Sequence, residues 1–142
     1  MSIWHIRPTP AALNPTSDQT MAGHLGIVYT AVGDDYLEAT MPVDQRTVQP
    51  FGLLHGGASV ALAETVGSMA ANCCIDPTRQ FCVGLEINAN HIRSARSGLV
   101  TGRATPVHLG KRTQVWQIEI RDEEERLVCT SRLTMSVLDR RE

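Results

Sequence analysis

From Phe81 onward the chain alternates apolar and polar positions in four long runs: Phe81 to His91, Gly98 to His108, Arg112 to Arg121, and Leu127 to Leu138. The third run is the cleanest. Trp116, Ile118 and Ile120 alternate with Val115, Gln117 and Glu119, a period of two that places each set on one face of a strand. Two shorter runs, His24 to Thr30 and Asp35 to Val43, flank Gly33-Asp34, a hairpin signal.

Between these groups the pattern changes. After a Pro-bearing segment from Val48 to Leu54, residues from roughly Gly57 to Cys74 are apolar nearly all round, interrupted mainly by Ser59, Glu64, Thr65, Ser68 and Asn72. That stretch predicts one long helix, stopped by Asp76-Pro77, and a helix with so few polar residues is normally wrapped by other structure. Residues 1–15, with Pro8, Pro10 and Pro15, read as an irregular arm around a short helix near Pro10 to Leu13. Consecutive strands after a single central helix predict an α+β layer, an antiparallel sheet with the helix on one face. At 142 residues, with no repeat, linker or low-complexity tract, the chain reads as one domain over 1–142.

The entry to the long helix carries the chemistry. Gln49-Pro50-Phe51-Gly52-Leu53-Leu54-His55-Gly56-Gly57 delivers backbone N–H groups to a helix N-terminus. Such an end has unsatisfied donors and a partial positive charge, which suits a developing oxyanion. Glu64 follows two turns later among Val60, Ala61, Leu62, Ala63, Val66 and Met69, where a lone carboxylate is costly to bury without a role. Ser68, four residues on, shares its face. Each feature also has a plain reading by itself. Gly56-Gly57 can be an ordinary turn, Glu64 can face water, and Ser68 can bond back to the Glu64 carbonyl. Gln49 can simply shape the loop before Pro50, His91 and His108 can be polar strand ends, and Lys111-Arg112 can be a solvated turn. Donor loop, carboxylate and hydroxyl together point to acyl chemistry.

These residues resemble the hotdog-fold thioesterases of the aromatic acyl-CoA type. The resemblance runs from Leu13 to Leu138 through Leu37 to Asp44, Gln49 to Glu64, Gly84 to His91, Val107 to Gly110, and Gln114 to Trp116. It is most specific in the Gln-Pro-Phe-Gly-Leu-Leu-His-Gly-Gly run with Glu nine residues after its His. The resemblance implies a hotdog, in which the sheet wraps the long helix. It implies that Glu64 attacks the thioester carbon or activates water, with the Gly56 N–H and the Gln49 amide polarising the carbonyl. It further implies that His55 orients the thioester, Ser68 positions water, and His91 closes the pocket near an aromatic ring. The coenzyme A part of the substrate falls to Gly84, His91, Ile92, Arg93 and Ser94, and to His108, Leu109, Gly110, Lys111, Arg112 and Thr113. Met69 and Asn72 lie towards the acyl end. Features of two branches are mixed: Met69 and His24 to Tyr29 look like the proofreading branch, and Leu85 to His91 like the naphthoyl-CoA branch. The family also implies a homo-oligomer, a tetramer built from dimers, in which the Gln49/His55 loop and Glu64 meet across a subunit boundary.

Composition narrows the alternatives. A net charge of −2 without a Lys/Arg cluster argues against nucleic acid as the main partner. No apolar run approaches the ~20 residues of a membrane span, and the N-terminus lacks a signal pattern, so a cytoplasmic protein is expected. Cys73, Cys74, Cys82 and Cys129 form no CxxC pair and sit among apolar neighbours, so they read as small buried hydrophobes. No cofactor or metal is expected beyond the coenzyme carried by the acyl-CoA or acyl-carrier-protein thioester. Three other readings stay open at this level: a hotdog dehydratase or hydratase, a metal hydrolase using His55, Glu64, His91 and His108, and a non-catalytic acyl-binding module.

Overall fold

The computed structural model describes residues 1–141; Glu142, the last residue of the expected domain, lies outside the described residues. Two short helices, α1 (Pro10–Leu13) and α2 (Met21–His24), flank a 3-10 turn over Asn14–Ser17 and precede the strands β1 (Val28–Val32) and β2 (Leu37–Pro42). The long helix α3 (Gly56–Cys73) follows, and then β3 (Gln80–His91), β4 (Leu99–Leu109), β5 (Thr113–Arg121) and β6 (Leu127–Asp139). The strands form one antiparallel sheet in the order β1-β2-β4-β5-β6-β3. It curves around α3, which touches β2, β3, β4, β5 and β6. This is the hotdog arrangement, and the four long strands and the helix lie within a residue or two of where the pattern puts them.

The core follows from the alternation. Trp116, Ile118 and Ile120 on β5 are fully buried against Leu62 and Val66 of α3 and Leu133 and Met135 of β6, while Glu119 faces solvent. The buried face of α3 is small: Ala58, Ser59, Leu62, Ala63, Val66, Gly67, Ala70 and Ala71. The opposite stripe, Val60, Ala61, Glu64, Thr65, Ser68 and Met69, is only half-buried. One chain therefore wraps the helix incompletely, and the uncovered stripe is the one that carries the carboxylate.

One boundary differs from the pattern. The first strand was expected from His24, but His24 ends α2, and β1 begins only at Val28. Thr20 caps α2 by accepting from the Gly23 N–H, and Gly26, at φ +75°, turns the chain into the strand. In the arm, α1 falls on the Pro10 to Leu13 expected for its short helix. Asn14 ties it to β1 with both ends of its amide, donating to the Tyr29 carbonyl at 3.0 Å and accepting from the Tyr29 N–H at 2.8 Å.

All four cysteines are free thiols. Burial pushes Cys73 and Cys82 up to about 11 and Cys74 up to about 12, and likewise takes the Tyr29 phenol to about 12. In the unfolded chain thiols ionise near ~8.5 and phenols near ~10. Between about pH 9 and 12 the unfolded state therefore binds fewer protons than the folded one, and stability falls as pH rises. The expected result is a melting temperature that is flat from pH 7 to 8.5 and declines steadily above pH 9. A flat profile to pH 10.5 in scanning calorimetry would refute it.

Candidate active site

His55 stands at the N-cap of α3, and its Nδ1 accepts from the Gly57 N–H at 2.7 Å. That bond requires the neutral imidazole to carry its proton on Nε2, so the ring offers a donor outward. The preceding loop is held by its backbone, with the Gln49 N–H on Leu53 O, the Gly52 N–H on Gln49 O, and the His55 N–H on Thr47 O. The Gln49 side-chain oxygen accepts from the Phe51 N–H. This commits the amide oxygen to the loop and leaves the NH₂ as the outward donor. A Cβ at Gly56 would come within 2.8 Å of His91 Nε2, so a side chain there would displace that imidazole. The imidazole of His91, at the end of β3, thus lies directly over the helix N-terminus. Gln49, Gly56 and His91 line a cavity of about 320 Å³, walled also by Leu53, Leu54, Ser59, Ile92, Arg93, Ser94 and Val128. Ser59 is almost fully buried in it; nothing in the sequence marks Ser59 beyond a hydroxyl in the first turn of an apolar helix.

Glu64 belongs to a different place. It lies eight residues beyond Gly56, about 12 Å along the helix axis at 1.5 Å per residue. Its carboxylate rests against Gly84 of β3, where any Cβ would collide with Glu64 Oε1. Among the described residues it makes no ion pair. Gly84 therefore acts in the first place as the seat of the carboxylate. Ser68, one turn on, makes no side-chain bond back to the Glu64 carbonyl. With Met69, Thr65 and Asn72 it faces a second cleft of about 350 Å³, closed on its far side by Thr16, Ser17, Thr20, Ala22 and Tyr29. Asn72 lines this cleft, but its amide is spent. It donates to Ser68 O and Cys82 O and accepts from the Cys82 N–H, stapling α3 to β3.

The register shows how far apart the expected site residues lie in one chain. On β6, His91 pairs with Cys129, whereas Thr113 pairs with Ser136 and Gly84 with Met135. The two segments expected to hold coenzyme A, 91–94 and 108–113, are thus about 23 Å apart along the sheet at ~3.3 Å per residue. Gly84, Met135 and Gln114 share a row across three strands, so the Glu64 seat lies about 10 Å from the β4–β5 turn at ~4.8 Å per strand. The chain therefore presents two half-sites. One holds Gln49, His55, Gly56, His91, Ile92, Arg93 and Ser94; the other holds Glu64, Ser68, Met69, Gly84 and the 108–113 turn. Within that turn the Gly110 N–H donates to Thr113 O, and His108 packs on Gly110. Arg112 is paired with Asp139 at 3.0 Å, both exposed. His55 and His91 thus stand at one end of the sheet and His108 and Glu64 at the other. Among the described residues no group of three His, Cys, Asp or Glu side chains is arranged to hold a metal.

A curved antiparallel sheet around one helix, with a donor-rich helix N-terminus and a seated glutamate, defines a hotdog enzyme of acyl-thioester type. The chain belongs to the thioesterase superfamily, whose profile matches residues 51–129. It is similar to the 1,4-dihydroxy-2-naphthoyl-CoA hydrolase of Escherichia coli, 60% identical over 136 residues, covering 96% of this chain and 99% of that one. It is also 58% identical over 138 residues to the proofreading thioesterase EntH of Cronobacter sakazakii, covering 96% and 98% of the two chains. A thioesterase of Haemophilus influenzae superposes with a TM-score of 0.94 at 55% identity, covering 96% of this chain and 95% of that one. A mutant thioesterase of Pseudomonas aeruginosa superposes at 0.97 with 48% identity, covering 98% and 100%. No helix among the described residues is long and apolar enough to cross a membrane.

Proposed function

We propose that this thioesterase hydrolyses aromatic acyl thioesters of coenzyme A or of a carrier protein, in a site completed between two copies of the chain. The observation that carries the reading is the separation of two complementary half-sites along one unpartnered strand. Strand β3 is twelve residues long, pairs with β6 alone among the described residues, and exposes Val83 and Leu85. A long unpaired edge of this kind needs a partner. If two copies pair antiparallel through β3 about a twofold axis near Ile87 and Asn88, Gly84 of one falls opposite His91 of the other. The donors of one copy then face the carboxylate of its partner, and the two coenzyme segments also converge. Names among the relatives support the chemistry: one hydrolyses a naphthoyl-CoA thioester and another is a proofreading thioesterase.

In this site the Gly56 N–H and the Gln49 NH₂ hold the thioester oxygen, where charge develops as the carbonyl carbon becomes tetrahedral. Glu64 attacks that carbon or takes a proton from attacking water, and Ser68 orients the water. The C–S bond then breaks and the thiolate gains a proton; where water attacked, the acid forms at once, and where Glu64 attacked, a water molecule hydrolyses the resulting Glu64–acyl anhydride, so that acid and thiol leave and the carboxylate is restored. The outward Nε2–H of His55 steadies the thioester region, and His91 closes the pocket over Gly56.

The test is a screen of benzoyl, hydroxynaphthoyl, phenylacetyl and straight-chain CoA thioesters, with aryl carrier-protein thioesters alongside, reading free thiol. Aromatic thioesters should be cleaved with the highest kcat/KM. Release of no thiol, with hydration of an enoyl thioester instead, would replace hydrolysis by the hydratase reading. The coenzyme end has its own expectation. Lys111 is exposed and, unlike Arg112, has no carboxylate partner among the described residues, so Lys111→Ala should raise KM several-fold for CoA thioesters and leave kcat nearly unchanged. The effect should fade in high salt, which screens exposed charges, and should vanish for pantetheine thioesters. Equal damage with pantetheine substrates would move coenzyme binding elsewhere.

A further inference from the structure

Tyr29 is held more firmly than a strand residue at a sheet edge requires. The residue is 2% exposed. A bulge at Thr30 interrupts the β1–β2 register directly after it, since Tyr29 pairs with Ala39 but Ala31 with Glu38. Bulges re-aim the side chains beside them. The Asn14 amide grips the backbone of the same residue from the other side, at both N–H and carbonyl. Yet its phenol oxygen makes no hydrogen bond among the described residues. No fully sealed side-chain nitrogen or oxygen of a described residue lacks a partner, so that oxygen opens onto the cleft that Tyr29 lines.

The rest of the cleft is of one chemistry. Ser17, Thr65 and Ser68 also face it with hydroxyls that make no hydrogen bond among the described residues, and no charged side chain of those residues contributes to its wall. Thr16 and Thr20 satisfy themselves on Leu13 O and Ser17 O and so shape the cleft instead. The cleft begins on the half-buried stripe of α3, with Thr65 next to Glu64 and Ser68 one turn beyond. A thioester held at Glu64 with its coenzyme towards the 108–113 turn sends its acyl group into this space, whose volume of about 350 Å³ admits a ring system.

We infer that the Tyr29 hydroxyl is a specificity-determining group that reads a neutral hydrogen-bonding substituent, a ring hydroxyl, on the acyl group of the substrate. This rests on the thioesterase reading for the placement of the acyl group and goes beyond it in naming the reader and what it reads. Burial keeps the phenol protonated well above neutral pH, so it is available as a donor throughout the working range. The absence of charge in the wall selects hydroxyl-bearing rings over carboxylated ones, since a carboxylate would enter without a counter-ion. Discrimination comes from both directions: the correct ring gains a bond, and an unsubstituted ring displaces water from the phenol and leaves it unpaired.

The experiment compares Tyr29→Phe, which keeps the ring and its packing, with the parent on benzoyl-CoA and on the 2-, 3- and 4-hydroxybenzoyl-CoA isomers. For at least one isomer the ratio of its kcat/KM to that of benzoyl-CoA should fall about threefold to tenfold in the variant, the scale of one neutral hydrogen bond. Ratios unchanged within twofold for all three isomers would overturn the assignment. Binding of the same four thioesters to Glu64→Gln and to Glu64→Gln with Tyr29→Phe, by calorimetry, separates the two levels of inference. If affinity ratios shift with Tyr29 while the parent enzyme cleaves none of the four, the reader stands and the hydrolytic reading falls. If the parent cleaves them and neither ratio moves, the hydrolytic reading stands and Tyr29 is a packing residue.

Discussion

Glu64→Gln is expected to lower kcat by about 10²-fold or more while leaving thioester binding largely intact, the scale for removing an acid/base or nucleophilic carboxylate. The substitution keeps the size of the side chain and therefore its seat against Gly84, where a Cβ would crowd the carboxylate. Because Glu64 is half-buried and has no cationic partner among the described residues, its loss breaks no ion pair and should leave the melting temperature nearly unchanged. The pair of measurements is diagnostic. A large fall in kcat with unchanged melting assigns the group to the chemistry. A fall of less than tenfold would remove Glu64 from its central position and with it the mechanism proposed above.

Mixed assemblies of two inactive variants regain activity if the site is shared between copies. Gln49→Ala damages the donor half-site and Glu64→Gln the carboxylate half-site, and these lie about 12 Å apart along α3 by helix geometry. In a randomly mixed dimer population half the molecules are hybrids, and each hybrid has one intact site of two. Mixing equal amounts through unfolding and refolding should therefore bring activity from about 1% to roughly a quarter of the parent value, as the isologous geometry requires. Activity that stays at the mean of the two variants would place both half-sites' functions within one chain. A protein that scatters light as a monomer at micromolar concentration, yet turns over thioesters, would do so as well.

The helix and the four long strands were legible because their signals are local and redundant. The alternation through Trp116, Ile118 and Ile120 repeats on each neighbouring strand, and the apolar run after Gly57 has the length and the stop of a helix. The donor loop was legible for a similar reason, since His55, Gly56 and Gly57 are contiguous and their geometry follows from one N-cap. What sat outside the pattern is the segment between the arm and β1. Short helices such as Met21–His24 are set by single caps and by docking, here Thr20, Gly26 and the Asn14 clamp on Tyr29, and none of these has a periodicity to read.

By itself the sequence determined the kinds of element, their order, the single carboxylate in an apolar helix, and the helix N-terminus that offers donors. Those are properties of neighbouring residues, governed by side-chain period, capping and burial cost. Only the tertiary structure decided where these parts stand relative to one another. Helix rise separates Gly56 from Glu64, and strand register sends His91 and the 108–113 turn to opposite ends of the sheet. Curvature leaves β3 as an open edge, and a bulge with an asparagine clamp turns Tyr29 into a cleft far from it in sequence. Distances of this sort come from how the sheet pairs and bends around the helix, a sum over the whole chain that no local stretch contains.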